Sequence, residues 1–294
     1  MALGSQLLAN ILYSAATIFL VGISFSLAFS TARFFHFAHA AVITTAGYVS
    51  LACSQWVGLS ALPSVVLALA ASTGLGWSLD KVVYRPLRRD GATPLVLLLA
   101  SLGLYTVLQS VISIAFGDDT KVIAGHGVAS SYSFLGARVT SIQVAVMGAA
   151  VAVLFVKIFL VDKMRIGLAL RAVADSPELA RVSGIDCDKI IGIAFCLGSF
   201  LGGATGLFRA FDVGMTPIMG LPMLLQGVVA VVVGGNGRTI GVAVASLLLA
   251  FLEELAGWNL GTHWEEAAAF LLLLAFLLLR PQGILGKRLR KSSA

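Results

Sequence analysis

Residues 7–29 read LLANILYSAATIFLVGISFSLAF, a run of 23 residues without a charged side chain. An α-helix needs about 20 apolar residues to cross the hydrocarbon core of a bilayer. Within that core an unpaired backbone amide or carbonyl costs several kcal/mol, so an isolated crossing segment must be helical. The run lacks the basic amino-terminal region of a secretory signal, and we therefore expect it to remain as the first membrane helix.

Eight more apolar runs follow along the chain. They cover residues 36–55, 63–83, 94–116, 141–160, 189–211, 221–235, 239–256 and 264–280. The run at 221–235 is short, because it lies between Pro222 and a glycine-rich turn, so it could be a tilted or broken span or a re-entrant segment. The pattern predicts an all-α transmembrane protein, a polytopic helical bundle of about 8–9 spans that forms a single domain over residues 1–294.

The composition excludes most classes of soluble protein. Hydrophobic residues make up 59% of the chain and charged residues 12%, with a mean hydropathy of +0.97. A soluble domain carries about 25% charged residues, and the longest non-apolar stretch, residues 161–188, is too short for a separate domain. The three cysteines form no CxxC motif, so neither a disulfide framework nor a zinc site is predicted. A net charge of +6 on such a chain indicates topology, not nucleic-acid binding.

The positions of the basic residues predict the orientation. Seventeen of the 20 lysine and arginine residues fall on one set of alternating loops and segment ends. They are Arg33, Lys81, Arg85, Arg88, Arg89, Lys157, Lys163, Arg165, Arg171, Arg181, Lys189, Arg238, Arg280, Lys287, Arg288, Arg290 and Lys291. Cytoplasmic loops are enriched in lysine and arginine, so the amino terminus is predicted to be outside and the carboxyl terminus cytoplasmic.

The opposite, outer face is acidic. Its carboxylates are Asp118, Asp119, Asp212, Glu253, Glu254, Glu265 and Glu266. One interpretation is that these are solvated loop ends, since Trp258 and Trp264 have the character of aromatic belt residues at the membrane interface. The alternative is a platform that docks a soluble partner of opposite charge. The candidate docking residues are Glu253, Glu254, Glu265 and Glu266.

The cytoplasmic loop at 161–188 contains signals for a short helix at 177–183. Ser176 suits the N-cap, Pro177 the first helical position, Glu178 the positive end of the helix dipole and Gly184 the left-handed position past the end. Seven residues make a rod of about 10 Å. Spacing alone leaves two interpretations open, a structural cap on the loop or a lever moved by another protein.

A few polar or glycine residues lie in or beside the apolar runs. The candidates for a pore or a gate are His36, His39, Gln109, Gln226, Gly234, Gly235 and Asn236. The histidines are three apart, share a helix face and are expected at the inner interface, while the two glutamines are expected to face another helix or a water-filled path. The glycine turn could be a tight connection or line a cavity. Neither a catalytic pair nor a metal site is predicted.

Five motifs occur in a fixed order. They are RFFHFAHA at 33–40, YRPLR at 84–88, GLALRAVADSPELARVSGI at 167–185, VGGNGR at 233–238 and RPQGI at 280–284. Together, over residues 10–286, they resemble the permease subunits of branched-chain amino acid ABC importers. Ala40 departs from the family pattern, in which a glycine often follows the position of His39, and this bears on helix packing there.

The resemblance implies that helix 177–183 is the coupling helix, which sits in a cleft of a cytoplasmic ATPase. The residues assigned to this coupling are Asp175, Ser176, Pro177, Glu178, Leu179, Ala180, Arg181 and Gly184. The implied partners are a second permease subunit, either a related chain or a second copy, two ABC ATPases and a soluble solute-binding protein outside. The sequence has no GxxxxGK[ST] motif, so ATP and Mg²⁺ are expected on the ATPases and no cofactor on this chain.

The implied activity is that of one half of the translocation pore for branched-chain or other amino acids, in the inner (cytoplasmic) membrane of a bacterium. Relatives that carry urea or short amides are an alternative within the family. An alternative from another class is an ion-coupled secondary transporter, which would need carboxylates within the membrane. The predicted topology places none of the carboxylates near the middle of the bilayer.

Overall fold

The computed structural model describes residues 2–123, 131–134, 137–161, 163–280 and 283–284. His126, the motif residues Pro281 and Gln282 and the basic residues of 287–291 lie outside these ranges. The α-helices are α1 (Ala2–Ala32), α2 (Ala38–Gln55), α3 (Ala61–Leu79), α4 (Arg85–Arg89), α5 (Pro94–Phe116), α6 (Ser141–Phe155), α7 (Arg165–Asp175), α8 (Pro177–Val182), α9 (Cys187–Asp212), α10 (Gly220–Gly234), α11 (Thr239–Leu260) and α12 (Glu265–Leu279).

Short irregular elements complete the fold. A π-helical turn, Asp80–Tyr84, joins α3 to α4, and a second, Val156–Val161, extends α6. A 3₁₀ turn, Thr262–Trp264, precedes α12. Strands β1 (Ser131–Phe134) and β2 (Ala137–Thr140) pair in an antiparallel hairpin.

The predicted class, a polytopic helical membrane protein, is confirmed. Seven helices of the described ranges are long and apolar enough to cross a membrane. Helix α2, with 18 residues, and helix α10, with 15 residues, account for the other two predicted segments. The hairpin was not predicted, because two four-residue strands are too short to give a clear alternating pattern.

Contacts between connecting segments lie at two ends of the bundle. At one end Arg33 Nη2 donates to the carbonyl oxygen of Asp175 (2.8 Å), which joins the α1–α2 turn to the segment between α6 and α9. At the other end Gln6 Nε2 donates to the carbonyl oxygen of Arg138 (3.2 Å), which joins the start of α1 to the hairpin. The two ends of α1 therefore lie at opposite ends of the bundle, and the positive-inside bias predicts that the Arg33 end is cytoplasmic.

Helices α1 and α9 form the centre of the bundle and are the most buried of the long spanning helices, while α6 and α12 are the least buried. A Cβ added at Gly198 would lie 2.6 Å from the carbonyl oxygen of Ser24, and one at Gly206 would meet the carbonyl oxygen of Ile43. The glycines at every fourth position of α9 thus allow α1 and α2 to approach its backbone, which is the small-xxx-small packing of membrane helices.

The seventh predicted segment is the 15-residue helix α10, which begins inside the bundle. Residues 213–219, after α9, are irregular, and α10 begins at Gly220 against Ala40 and Thr44, in the inner half of α2. The first backbone N–H groups of a helix have no partners within that helix, and inside a membrane water cannot supply them. Here Gly220 N donates to Thr44 Oγ1 (3.1 Å), and Pro222 has no N–H group to satisfy.

The glycine contacts of α9 predict a difference between two matched substitutions. Gly206→Ala should force α2 and α9 apart and destabilise the protein by about 1–3 kcal/mol, as overpacking does. Gly148→Ala in α6 serves as the control, because a Cβ there has no atom within 4 Å. Thermal unfolding in detergent should show a lower midpoint for Gly206→Ala alone, and equal midpoints would contradict the packing role.

Candidate functional site

The predicted helix in the cytoplasmic loop is present as α8, and its capping is as predicted. Ser176 is extended (φ −154°, ψ 104°), and its Oγ accepts a hydrogen bond from Leu179 N (3.3 Å). Pro177 follows at the first helical position, and Gly184, with φ +80°, lies past the end. The helix ends at Val182, one residue before the predicted limit, because Ser183 is the C-cap.

The exposed surface of α8 is partly apolar. Ala180 faces the protein and is 3% exposed, whereas Leu179 is 69% and Val182 87% exposed. Glu178 and Arg181 are also exposed. On the side of the bundle that is predicted to be cytoplasmic, an apolar pair beside an acid and a base forms a surface suited to a protein partner.

Helix α7, which leads into α8, was not predicted. Its buried residues, Gly167, Leu170 and Val173, are three residues apart and lie on the side of α7 that faces the bundle. The sequence analysis treated residues 161–188 as a loop because charged residues at 163, 165, 171 and 175 interrupt the apolar pattern there. A window of 11 residues tested for helical periodicity would have found it.

The segment around α8 is attached to the bundle on both sides. Before α8, Arg33 Nη2 donates to the carbonyl oxygens of Ala174 (2.9 Å) and Asp175 (2.8 Å). After α8, Cys187 Sγ donates to the carbonyl oxygen of Pro177 (3.4 Å). Asp188 forms ion pairs with Arg89 (3.1 Å) and Arg85 (3.2 Å). Motion of α8 would therefore be passed to α4, α9 and the α1–α2 turn.

These anchoring partners were largely missed by the sequence analysis, which used the arginines only to assign topology. Asp80 was missed as well. Its carboxylate is buried, and Arg88 Nη2 lies 2.7 Å from Asp80 Oδ1. The sequence feature that could have predicted this ion pair is the eight-residue separation of Asp80 and Arg88, which places the two side chains on one side of a continuous helix.

His36 and His39 are buried side chains, and the expectation that they lie at the inner interface is wrong. Each is 1% exposed. The hydroxyl of Tyr84 lies 3.1 Å from His36 Nδ1, and Ser24 Oγ lies 2.9 Å from His39 Nε2. His36 precedes α2 by two residues, so the two histidines do not share its face.

The physical reason for this burial is the space left by glycines of α9. A Cβ at Gly202 would lie 2.9 Å from His39 Nε2. The missing side chain at that position makes room for the imidazole ring between α1 and α9. The two histidine rings, with centroids 5.6 Å apart, therefore belong to the packed core, and a role in a pore or gate stays a prediction.

The expectation that Glu253 is solvated is also wrong. Glu253 is 5% exposed, and its Oε1 accepts a hydrogen bond from Gln226 Nε2 (3.2 Å) across the contact of α10 with α11. Glu253 lies about one helical turn before Gly257, and its side chain packs against α10 instead of extending into solvent. Glu253 is therefore unsuitable as a docking residue, and it is a carboxylate within a spanning helix.

The other three docking candidates keep some exposure. Glu254 is half-buried and accepts a hydrogen bond from Ser14 Oγ (3.3 Å), Glu265 is half-buried beside Gly257, and Glu266 is exposed. Gln109, in contrast, is half-buried in α5 and has no hydrogen-bond partner among the described residues. The two glutamines thus differ, because in the described ranges only Gln226 forms a hydrogen bond with another side chain.

The glycine turn after α10 is a tight connection. Gly234 packs against the backbone of Gly241, and Gly235 has φ +96°. Asn236 Oδ1 accepts a hydrogen bond from Ser26 Oγ of α1 (3.4 Å). Gly283 also packs against the backbone of Gly235, so this turn contacts the segment that follows α12. A gating role for the turn stays a prediction.

The Gln226–Glu253 contact can be tested by removing its donor. Gln226→Leu should leave a buried carboxylate oxygen unsatisfied and destabilise the protein by about 1–3 kcal/mol. Gln109→Leu, the control at an unpaired glutamine, should change the unfolding midpoint little. Because Gln226→Leu/Glu253→Leu removes both polar groups, it should regain stability relative to Gln226→Leu. Equal midpoints for the two glutamine variants would contradict this assignment.

Comparison with known proteins places these features in a family. The profile described as "Branched-chain amino acid transport system / permease component" matches residues 7–279. The chain is 27% identical to the high-affinity branched-chain amino acid transport system permease protein BraD of Pseudomonas aeruginosa, over 96% of this chain and 95% of BraD. It is 26% identical to the corresponding protein LivH of Escherichia coli K12, over 92% of each chain.

A solved structure shares the fold. A chain of PsaBC from Streptococcus pneumoniae in complex with Fab superimposes with a TM-score of 0.52 at 12% identity, over 94% of this chain and 93% of that one. The motifs, the helical membrane architecture and the profile match over almost the full length agree. This chain therefore belongs to the branched-chain amino acid transport permease family and is a multi-pass membrane permease subunit of an ABC importer.

Proposed function

We propose that this chain forms one half of an ATP-driven translocation pore in a bacterial inner membrane, as a single permease domain with its coupling loop at 161–188. The observation that carries the proposal is α8, a capped helix with an apolar and charged exposed surface that is fixed to the bundle on both sides. Such an element suits the transfer of motion from a soluble machine to membrane helices.

The proposed partners are two cytoplasmic ABC ATPases, which bind ATP and Mg²⁺ and hydrolyse the nucleotide, and a second permease subunit. A solute-binding protein would deliver solute to the outer face. The proposed solutes are leucine, isoleucine and valine, because BraD and LivH are named for branched-chain amino acid transport. Other amino acids, urea or short amides are the alternatives within the family.

One observation favours the ion-coupled alternative. Glu253 is a buried carboxylate in a spanning helix whose hydrogen-bond partner in the described ranges is a neutral amide. Such groups are common at ion and proton sites of membrane transporters. The anchored and partly apolar α8 has no use in that mechanism, so we rank the ATP-driven importer first.

The two mechanisms are separated by purification of the chain from its native membrane in mild detergent. Mass spectrometry should identify ATPase and permease partners, and the eluate should hydrolyse ATP. In liposomes that contain the solute-binding protein, uptake of labelled leucine should require ATP. A lone chain whose uptake follows an ion gradient and ignores ATP would refute the importer mechanism.

The coupling role of α8 predicts the effect of a double substitution. Glu178→Ala/Arg181→Ala should abolish solute-stimulated ATPase activity while the chain still inserts and assembles, because both side chains are exposed. The control is Asp90→Asn/Lys189→Gln, which removes the same charges from exposed positions outside α8. Undiminished stimulation in the α8 variant would remove the coupling assignment.

Docking of a soluble receptor predicts a salt-dependent effect at the outer face. Glu254→Lys/Glu265→Lys/Glu266→Lys reverses the three carboxylates that keep some exposure and should weaken receptor binding at low ionic strength. High salt should reduce the difference from the wild type, because exposed charges are screened within about 8–10 Å. Receptor affinity that is unchanged at low salt would exclude the docking platform.

A further inference from the structure

The α1–α2 turn contains a residue in an unfavourable backbone conformation. Arg33 has φ +58° and is the only non-glycine residue of the described ranges with positive φ. Its backbone N–H donates to the carbonyl oxygen of Phe29 (3.0 Å) and closes the end of α1. Glycine is the residue that usually occupies this left-handed position after a helix. An arginine there suggests that its side chain has a role that outweighs the backbone cost.

The side chain of Arg33 reaches the bend between α7 and α8. Its Nη2 atom donates to the carbonyl oxygens of Ala174 and Asp175, at 2.9 and 2.8 Å. These are carbonyls of the last turn of α7, which lack intrahelical partners and form the negative end of the helix dipole. A single cation therefore holds the bend at which α8 begins.

The rest of the turn is bonded to the core. Phe34 is 2% exposed, and its ring packs at a tilt against the ring of Tyr84 in the π-helical turn after α3, with the ring centroids 4.9 Å apart. Ser101 of α5 donates through Oγ to the carbonyl oxygen of Phe35 (3.1 Å) and accepts from Phe37 N (3.1 Å). The turn that carries Arg33 is thus fixed to α3 and α5 as well as to α1 and α2.

We propose that Arg33 is a positioning residue for energy coupling, which fixes the bend between α7 and α8 to the α1–α2 turn. A displacement of α8 then moves the turn and the helices bonded to it. This inference rests on the proposed function, because it assumes that an ATPase moves α8. It assigns to Arg33 a path into α2 in addition to the contacts of Asp188 with α4.

Two variants test this role without loss of the fold. Arg33→Gly removes the side chain and is favourable at φ +58°, so the variant should insert, assemble with its partners and keep the wild-type unfolding midpoint. Arg33→Lys retains a cation that can reach the carbonyls less well and should give an intermediate result. Neither variant alters an exposed residue of α8.

The measurement is hydrogen–deuterium exchange of the assembled complex, without nucleotide and with ATP plus vanadate. In the wild type, nucleotide should change exchange both in residues 165–186 and in residues 33–55. In Arg33→Gly the change at 165–186 should persist, while the change at 33–55 should fall about threefold or more, the scale on which residues of a coupling path act. A merely structural role would alter exchange equally in both nucleotide states.

Each outcome has a distinct meaning. The role of Arg33 alone is overturned if the nucleotide response at 33–55 is the same in Arg33→Gly as in the wild type. It is also overturned if the wild type responds at 165–186 but not at 33–55. No nucleotide response at 165–186 in the wild type overturns the coupling role of α8 and with it the proposed function. Loss at 33–55 in Arg33→Gly with partial recovery in Arg33→Lys supports the positioning role.

Discussion

Polar groups inside a bilayer can find partners only within the protein, and this constraint explains most of the local choices in the structure. Many serine and threonine hydroxyls of the helices bond to backbone carbonyls of the preceding turn, as Ser72 does to Leu69 (3.1 Å) and Thr205 to Leu201 (2.8 Å). The same constraint is most severe where a helix starts inside the membrane. Thr44 meets it for α10, since its hydroxyl accepts from Gly220 N and donates to the carbonyl of Ala40 (3.1 Å).

The central packing of α1, α2 and α9 connects this buried region with the cytoplasmic surface. Glycines of α9 bring three backbones together and leave space for His39. The turn between α1 and α2 extends from the same region to the bend before α8. Residues 33–39 therefore connect the packed centre of α1, α2 and α9 with the surface that carries α8.

The fold was largely predictable from the sequence because the hydrocarbon core sets a length of about 20 residues for each span. The cap signals of α8 were equally clear, since Ser176, Pro177 and Gly184 each satisfy a local backbone requirement. What could not be predicted depends on contacts between distant segments. Glu253 appeared to belong to the interface by its distance from Trp258, whereas its burial is set by Gln226 on another helix.

The same limit applies to the anchoring residues around α8. Arg33 and Asp188 are ordinary charged residues in a cytoplasmic loop until their partners, Asp175 and Arg89, are placed in space. Sequence periodicity reports one face of one helix, and such pairs join different elements. The positive φ at Arg33 has no signature in composition or spacing at all.

Helix α1 has a length that goes beyond the need to cross the bilayer. Its 31 residues extend about 46 Å at 1.5 Å per residue, against a hydrocarbon core of about 30 Å. Gln6 near its first turn binds the backbone of Arg138 in the outer hairpin, and Arg33 just past its last turn binds the cytoplasmic bend. One continuous helix therefore connects contacts at the cytoplasmic face with contacts at the outer face. A tilt of α1 imposed at the cytoplasmic face would move the outer hairpin as well, because no loop interrupts the helix.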